Sequence, residues 1–383
     1  MAAESTIDQS SPYYIHPSEN PALILVAPPL DGSNYHTNSS SFTALLVYVD
    51  DVVLTGNDLT EINLVKQQLD ASFTIKDLGD LQYFLGLELA RTKQGIFLSQ
   101  RKFALELLED IGYLACKPAS TLMDPHLRLS KDKGQPLPDP QLYRELIGRL
   151  QYLTTTRPNL SFATQQLSQF MSDPRDIHLQ AAHRVLRYLK SSPGAGLFLS
   201  LTSDLKSRSF SDFDWASCID TRRFVTGFAV FIGSSLISWK AKKQSTVSRS
   251  SSEAEYRALA STTCELQWLI YLLNDFDLSH IDPALLYYDN QSAIQIATNL
   301  TFHERTKHIE LDCHLVREKL QAKIIHLLLV SSSDQLADMF IKPLHPTRFH
   351  DLISKLGMKN IHAPACGGDR ITIIVRLILV IKL

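Results

Sequence analysis

Apolar residues are distributed unevenly along this chain. Residues 1–41 are rich in Ser, Asn and Pro, and their one apolar run, Ala22 to Val26, is closed by Pro28 and Pro29, which predicts a largely disordered leader. From Thr43 the texture changes. Ala44 to Val49 is apolar, Asp50 and Asp51 interrupt it, and Val52 to Leu54 resumes before Gly56, a pattern for a β-hairpin with two carboxylates at its tip. Ile62, Val65 and Leu69 recur at helical spacing, and Tyr83 to Leu89 with Ile96 to Leu98 around Gly95 predict a second hairpin. A helix is expected to follow, from Ser99 as N-cap to Gly112 as stop. Five prolines between Pro118 and Pro140 and the charged stretch Lys131 to Gly134 predict a linker and a domain boundary. Leu142, Leu146 and Leu150, then Ala182, Val185, Leu186 and Leu189 before Pro193-Gly194, mark helices. Strands come next: Phe210 to Trp215 alternates, Phe224 to Ile232 is strongly β-forming, Gly233-Ser234-Ser235 turns, and Leu236 to Trp239 returns. Ser252 and Glu255 have capping-box spacing ahead of a long helix to about Leu273, and Leu285 to Tyr288 reads as a fourth strand flanked by helices.

Composition narrows the class. A chain of 383 residues exceeds one ordinary domain, so two or three cores are expected. Hydrophobic residues at 44% and charged residues at 20% fit a globular protein and exclude wholesale disorder or a fibrous repeat. The net charge of -2 means that any contact with nucleic acid must use local basic patches. The five cysteines are scattered without zinc-ribbon or disulfide-framework spacing, which suits a reducing compartment. The N-terminus lacks the basic start and apolar core of a secretory signal, so a cytoplasmic or nuclear protein is expected, not a secreted one. The apolar run Ile371 to Leu383 carries Arg376 and Lys382 and is shorter than the roughly 20 residues of a membrane helix.

Candidate chemistry lies in the C-terminal half. Asp212 on the opening strand, Glu255 in the first turn of the following helix, Asp289 at the end of the fourth strand and Asp338 in a late helix begun by Asp334 sit at element ends that a mixed sheet can bring together. Four carboxylates in one cleft repel each other unless divalent cations lie between them. Hard oxygen ligands suit Mg²⁺ or Mn²⁺, and two such ions about 3.5–4 Å apart can activate water and stabilise a leaving oxygen in phosphodiester cleavage. Each acid also has an ordinary structural explanation: Asp289 as a helix N-cap, Glu255 as the capping-box acid, Asp338 as a solvated helix residue. Asp214 shares a strand face with Asp212 and competes with it.

Several strings then occur in a telling order: Phe210-Ser-Asp-Phe-Asp-Trp-Ala, Thr221-Arg-Arg-Phe-Val-Thr-Gly, Ile237-Ser-Trp-Lys-Ala-Lys-Lys-Gln, Val247-Ser-Arg-Ser-Ser-Ser-Glu-Ala-Glu-Tyr, Tyr288-Asp-Asn-Gln-Ser-Ala and Asp334-Gln-Leu-Ala-Asp. This half resembles the ribonuclease H domain of copia-type LTR retrotransposon Pol polyproteins, to about residue 360. The resemblance implies a mixed five-stranded sheet with flanking helices, and Asp212, Glu255, Asp289 and Asp338 as catalytic and metal-binding acids. The family usually has Thr at the position of Ile341 before Lys342-Pro343-Leu344, a departure expected to lie outside the metal site. Tyr48-Val-Asp-Asp resembles the palm hairpin of the same family's reverse transcriptase, making Asp50 and Asp51 remnant polymerase metal ligands. Leu78-Gly-Asp-Leu-Gln-Tyr-Phe-Leu-Gly-Leu-Glu resembles its primer-gripping segment. Tyr143-Arg-Glu-Leu-Ile-Gly-Arg-Leu and Arg157-Pro-Asn-Leu resemble the helical connection, where Asp is commoner than Asn159. Ser11-Pro-Tyr-Tyr-Ile-His-Pro and Pro28-Pro-Leu-Asp-Gly-Ser-Asn-Tyr-His resemble the start of a copia-type gag protein.

Nucleotide addition by two metals needs a third carboxylate upstream of Asp50-Asp51 and a fingers subdomain. The acids before Tyr48 are Glu4, Asp8, Glu19 and Asp31, none in such a setting, so polymerisation is not expected and the chain reads as an internally deleted element. The expected fold is α+β. Its expected order is a gag-like leader over 1–41, a truncated palm and thumb over 42–122, a linker over 123–140, a helical connection over 141–200, a ribonuclease H-like domain over 201–345 and a tail over 346–383. Arg222, Arg223, Lys240, Lys242, Lys243 and Arg249, with Arg257, are expected to contact phosphates of an RNA–DNA hybrid, with Trp239 as a stacking surface. A solvated basic surface is the alternative. His303, His308, Cys313 and His314 match no standard zinc spacing, and His326 is a candidate proton carrier or a structural histidine. The tail, with ten of its last 13 residues Ile, Leu or Val, suggests read-through into non-coding sequence, or else an added edge strand. The expected activity is Mg²⁺-dependent hydrolysis of RNA in RNA–DNA hybrids; the alternative is an inactive transposon relic that at most binds nucleic acid.

Overall fold

Where two aspartates interrupt an apolar run, a hairpin forms: β1 (Thr43–Tyr48) and β2 (Asp51–Gly56) pair antiparallel from Thr43↔Gly56 to Tyr48↔Asp51. The computed structural model describes residues 43–49, 51–215, 218–248, 250–276, 278, 282–291, 310–361 and 379–382, and the chain divides into two units, Met1–Phe84 with Val375–Leu383, and Leu85–Ile374. The leader over 1–41 lies outside the described residues.

In the first unit the hairpin tip turns through Val49, whose φ of 50° is a left-handed value that a β-branched residue rarely adopts. Asp58 caps helix α1 (Leu59–Ser72) by accepting the Thr60 N–H at 2.8 Å. The apolar stripe of α1, including Val65 and Leu69, packs on Val52 and Leu54. Strands β3 (Lys76–Asp80) and β4 (Tyr83–Phe84) follow. The tail segment Leu379–Lys382 pairs antiparallel with β2 and with β3, so it is an interior strand of this sheet rather than an added edge.

The second unit opens with the hairpin β5 (Leu87–Thr92) and β6 (Gly95–Ser99). Ser99 is the last paired residue of β6, opposite Glu88. The cap of helix α2 (Arg101–Asp110) therefore falls on Gln100, not on Ser99. Gly112, with φ of 74°, ends the segment as expected. Helices α3 (Pro140–Leu153), α4 (Ser161–Ser168) and α5 (Asp176–Ser191) appear at the expected places. The proline-rich run between α2 and α3 is packed along α5: the Ala119 N–H donates to the Arg187 carbonyl and the Leu137 N–H to the Pro174 carbonyl, each at 3.1 Å. The Ser130 carbonyl lies 3.1 Å from Nε2 of buried His178.

Strands β7 (Ala195–Ser200), β8 (Ser207–Asp214), β9 (Val225–Ile232) and β10 (Ser235–Lys243) come next. They are followed by helix α6 (Ser251–Asp275), strand β11 (Ala284–Tyr288), helix α7 (Glu310–Gln321) and strand β12 (Ile325–Leu329). Five of these strands form a mixed sheet in the order β10-β9-β8-β11-β12, antiparallel from β10 to β8 and parallel from β8 to β12. Phe228 and Val230 of β9 enter a core with α6 and α7, while Ala229 and Phe231 enter a core with α3, α4 and α5. Burial of both faces explains why β9 reads as a continuous apolar run. The single turn α8 (Asp338–Ile341), helix α9 (Pro346–Lys355) and strand β13 (Met358–Asn360), which pairs with β7, complete the unit. No helix among the described residues is long and apolar enough to cross a membrane.

Two further helix starts differ from the sequence reading. Ser250, not Ser252, caps α6, its Oγ accepting the Glu253 N–H at 3.2 Å, so Glu255 lies a turn inside the helix. Asp334 does not begin the late helix. Its carboxylate is held in the preceding turn by Ser331 Oγ at 2.8 Å and Lys355 Nζ at 3.1 Å, and α8 starts at Asp338.

The helical layer buries a cation. Arg157 is 1% exposed, donates Nη1 to the Ser192 carbonyl at 2.8 Å, and has Nε 3.5 Å from Asn159 Oδ1. A neutral amide thus faces a buried guanidinium. Asn159→Asp places a carboxylate there, and Tyr188 Oη, now hydrogen-bonded to Asn159 Nδ2 at 2.8 Å, can donate to it. The expected gain is about 1–2 kcal/mol, read as a rise of about 2–4 °C in melting temperature. An unchanged or lower melting temperature contradicts this account of Arg157.

Candidate functional site

Strand register brings the first two acids level. Tyr287 of β11 pairs in parallel with Phe210 of β8. Asp212 lies two residues beyond Phe210, and Asp289 two beyond Tyr287, just past the end of β11. Asp212 is buried, with Oδ1 accepting the Phe213 N–H at 2.8 Å. Glu255 is also buried and accepts from Nδ2 of Asn290, the neighbour of Asp289, at 2.6 Å.

Asp338 arrives by a steric route that the sequence reading missed. Gly227 of β9 stands opposite Asp212 in the antiparallel register. A Cβ on Gly227 would lie 2.7 Å from Phe340 Cβ, 2.8 Å from Ile341 Cγ2 and 3.3 Å from the Ala337 carbonyl oxygen. Only glycine lets the α8 turn descend onto the sheet beside Asp212. Ile341 is buried in this contact. Gln335, fully buried, pins the same turn by donating Nε2 to the Ser211 carbonyl at 3.0 Å and accepting the Ala337 N–H at 3.2 Å. Asp338 is held by Lys342 Nζ, 2.5 Å from Oδ1, and by Arg348 Nη2, 3.5 Å from Oδ2.

The acids sense one another. Burial first, then the charge of Asp289 and the hydrogen bond and charge of Asp338, push the Asp212 carboxyl up to about 8, against the opposing Phe213 N–H. Burial also raises Glu255, with the Asp289 charge adding to it and the Asn290 hydrogen bond opposing it. Tyr288 feels the charges of Glu255, Asp212 and Asp289, and its buried hydroxyl has no hydrogen-bond partner among the described residues. A set of carboxylate oxygens beside an orphaned hydroxyl is donor chemistry that fits a hard divalent cation. Among the described residues, however, no three His, Cys, Asp or Glu side chains are spaced to hold one ion.

The remaining candidates fall out as follows. Asp51 is the first residue of β2, in the other unit, and Asp50 lies outside the described residues. Arg222, Arg223, Lys240 and Lys242 are exposed, the last two on one face of β10. Lys243 is tied to Gln169 Oε1 at 2.6 Å and Cys218 Sγ at 2.8 Å. Arg257 pairs with Glu253 at 2.9 Å, and Arg249 lies outside the described residues. Trp239 is not a free stacking surface: its indole N–H donates to the Thr154 carbonyl at 3.2 Å and its ring packs on the helical core. Trp215, one residue past β8, is 51% exposed. Cys313 is buried in the α6–α7 core while adjacent His314 faces Glu310 at 3.8 Å; His303 and His308 lie outside the described residues. His326 is exposed on β12.

The reverse transcriptase (RNA-dependent DNA polymerase) family profile matches residues 34–125. The chain is similar to the retrovirus-related Pol polyprotein of transposon RE2 from Arabidopsis thaliana, 43% identical over 328 residues, covering 86% of this chain and 22% of that protein. It is similar as well to an uncharacterised mitochondrial protein of Arabidopsis thaliana, 46% identical over 224 residues, covering 58% of this chain and 93% of that one. Among solved structures, a foamy viral protease–reverse transcriptase in complex with double-stranded DNA is 13% identical, with a TM-score of 0.40, covering 76% of this chain and 46% of that one. The chain spans about a fifth of the length of the Pol polyprotein it matches.

The raised Asp212 carboxyl has a consequence for stability. Its folded pKa of about 8 against an ordinary 3.8 means the folded state keeps a proton that the unfolded chain releases. That stabilisation is complete below 3.8 and is lost as pH rises through 8. Asp212→Asn, which can still donate to Asp338, escapes the loss. In chelator the variant is expected to melt about 5 °C above the parent at pH 8.5, with little difference at pH 4. Equal melting at both pH values contradicts the crowding of acids around Asp212.

Proposed function

Because the chain belongs to the copia-type retrotransposon Pol family, we propose that its C-terminal half is a divalent-metal-dependent ribonuclease H, cutting the RNA strand of RNA–DNA hybrids. The observation that carries this reading is the parallel register that sets Asp212 and Asp289 level on adjacent strands, with Glu255 hydrogen-bonded to Asn290 and the Asp338 turn packed on Gly227 opposite Asp212. The raised Asp212 carboxyl agrees with it. Mg²⁺ or Mn²⁺, as a pair of ions, would activate water and stabilise the leaving oxygen of the cleaved phosphodiester.

The chain's own residues supply the frame. Asp212 and Asp289 present carboxylates from adjacent parallel strands, Asn290 orients Glu255, and Gln335 with Gly227 sets the depth of Asp338. Exposed Arg222, Arg223, Lys240 and Lys242 offer phosphate contacts, and exposed Trp215, one residue past β8, offers an apolar surface. A second reading, an inactive relic that at most binds nucleic acid, draws support from the engagement of Asp338 by two cations.

Incubating the full chain with a labelled RNA–DNA hybrid and Mg²⁺ separates the two. Cleavage that falls at least about a hundredfold in Asp212→Asn and Asp289→Asn supports hydrolysis. Equal cutting by all three proteins, or binding without cutting by the parent, supports the relic.

Polymerisation by this chain alone is not part of the proposal. Asp51 opens β2, and the acids before Tyr48 do not occur in a strand pattern of the sequence. Primer extension on an RNA template is expected to give no product, and robust incorporation of nucleotides overturns that part of the reading.

A further inference from the structure

The two cations on Asp338 are held differently. Arg348 also donates Nη2 to the carbonyls of Ser332 at 3.0 Å and Gln335 at 3.3 Å, and pairs through Nη1 with Asp351 at 3.3 Å. Its guanidinium is thus anchored on the backbone and cannot leave Asp338 without breaking several bonds. Lys342 has Asp338 as its sole hydrogen-bond and ion-pair partner among the described residues, and its side chain is 44% exposed. A compact ammonium on a flexible stem is the group that can leave.

The Lys342 charge also reaches past Asp338. Burial works against the ammonium, but its hydrogen bond to Asp338 and the charges of Asp338, Asp212 and Asp289 outweigh that and raise it. One positive charge therefore serves three acids of the cluster. Because Oδ1 of Asp338 is taken at 2.5 Å, that oxygen is not free for another cation while Lys342 stays.

Resting on the ribonuclease reading, we propose that Lys342 is the counter-ion of the metal-free site: it competes with a divalent cation for Asp338 Oδ1 and leaves when the cation binds, while Arg348 keeps Asp338 in place. The lysine then does two jobs. It holds the acids together before metal arrives, and it weakens metal affinity by the strength of the ion pair that must break. The exchange raises the charge of the site by one, since a singly charged ammonium leaves as a doubly charged ion enters.

Mn²⁺ alone is the probe. The full-length parent, Lys342→Met and Lys342→Arg are titrated with Mn²⁺ at pH 7.5 and low salt, reading free Mn²⁺ by its paramagnetic resonance signal. Lys342→Met is expected to bind about tenfold more tightly than the parent, and Lys342→Arg about as the parent does. In chelator, Lys342→Met is expected to melt below the parent, because the acids lose their counter-ion. Lys342→Gln repeats the charge deletion with a polar side chain should the Met variant aggregate. Equal or weaker Mn²⁺ binding after charge deletion overturns the counter-ion role and leaves the ribonuclease reading standing. Mn²⁺ bound by none of the chains overturns both.

Discussion

Like charges packed at one end of a sheet repel, and that repulsion governs the C-terminal half of this protein. Asp212 is buried on the central strand β8, where water screens little. Every neighbouring acid therefore raises the cost of its ionisation, and its carboxyl rises accordingly. A protein with no use for the cluster gains stability by neutralising any one member. Keeping the cluster makes sense if a multivalent cation joins it.

Three separate contacts place the acids on and around this sheet. Parallel register between β8 and β11 aligns two of them. The third comes from α6, whose start at Ser250 places Glu255 a turn inside the helix, facing Asn290. The fourth depends on a missing side chain at Gly227, a close approach that no other residue permits. Around them lie Asn290, a neutral donor to Glu255, and Lys342 and Arg348, two cations on Asp338. Two ways of meeting the electrostatic demand are present, a proton favoured on Asp212 and the ammonium of Lys342 at Asp338.

Much of this was legible in the chain. The β-forming run Phe224 to Ile232 announced β9, and its burial on both faces explains why it is apolar throughout. What was hidden depends on contacts between distant segments. Gly227 lies within a strand pattern where glycine normally only weakens pairing; its purpose appears once α8, more than a hundred residues later, packs on it. Gln335 and Arg348 look like solvated polar residues until their hydrogen bonds to Ser211 and the 332–335 turn are seen. Helix starts shifted by two to four residues because Ser250 and Asp338 won the competition for the first turn. Trp239 looked like a free platform among lysines, yet strand alternation turns its ring inward while Lys240 and Lys242 stay exposed. The proline-rich run over 123–140 has linker composition, but its backbone is satisfied by α5 and its neighbours, information that lies in tertiary contact rather than local sequence.

On the ribonuclease proposal, Asp212, Glu255, Asp289 and Asp338 would take up divalent cations at the rim of one sheet. Anomalous diffraction from crystals soaked in Mn²⁺ tests it most directly, because the metal is located independently of any assay. The account predicts anomalous density bounded by the oxygens of Asp212, Asp289 and Glu255, with Asp338 adjoining. Density confined to other parts of the molecule, with these four carboxylates unmoved and metal-free at saturating Mn²⁺, contradicts it.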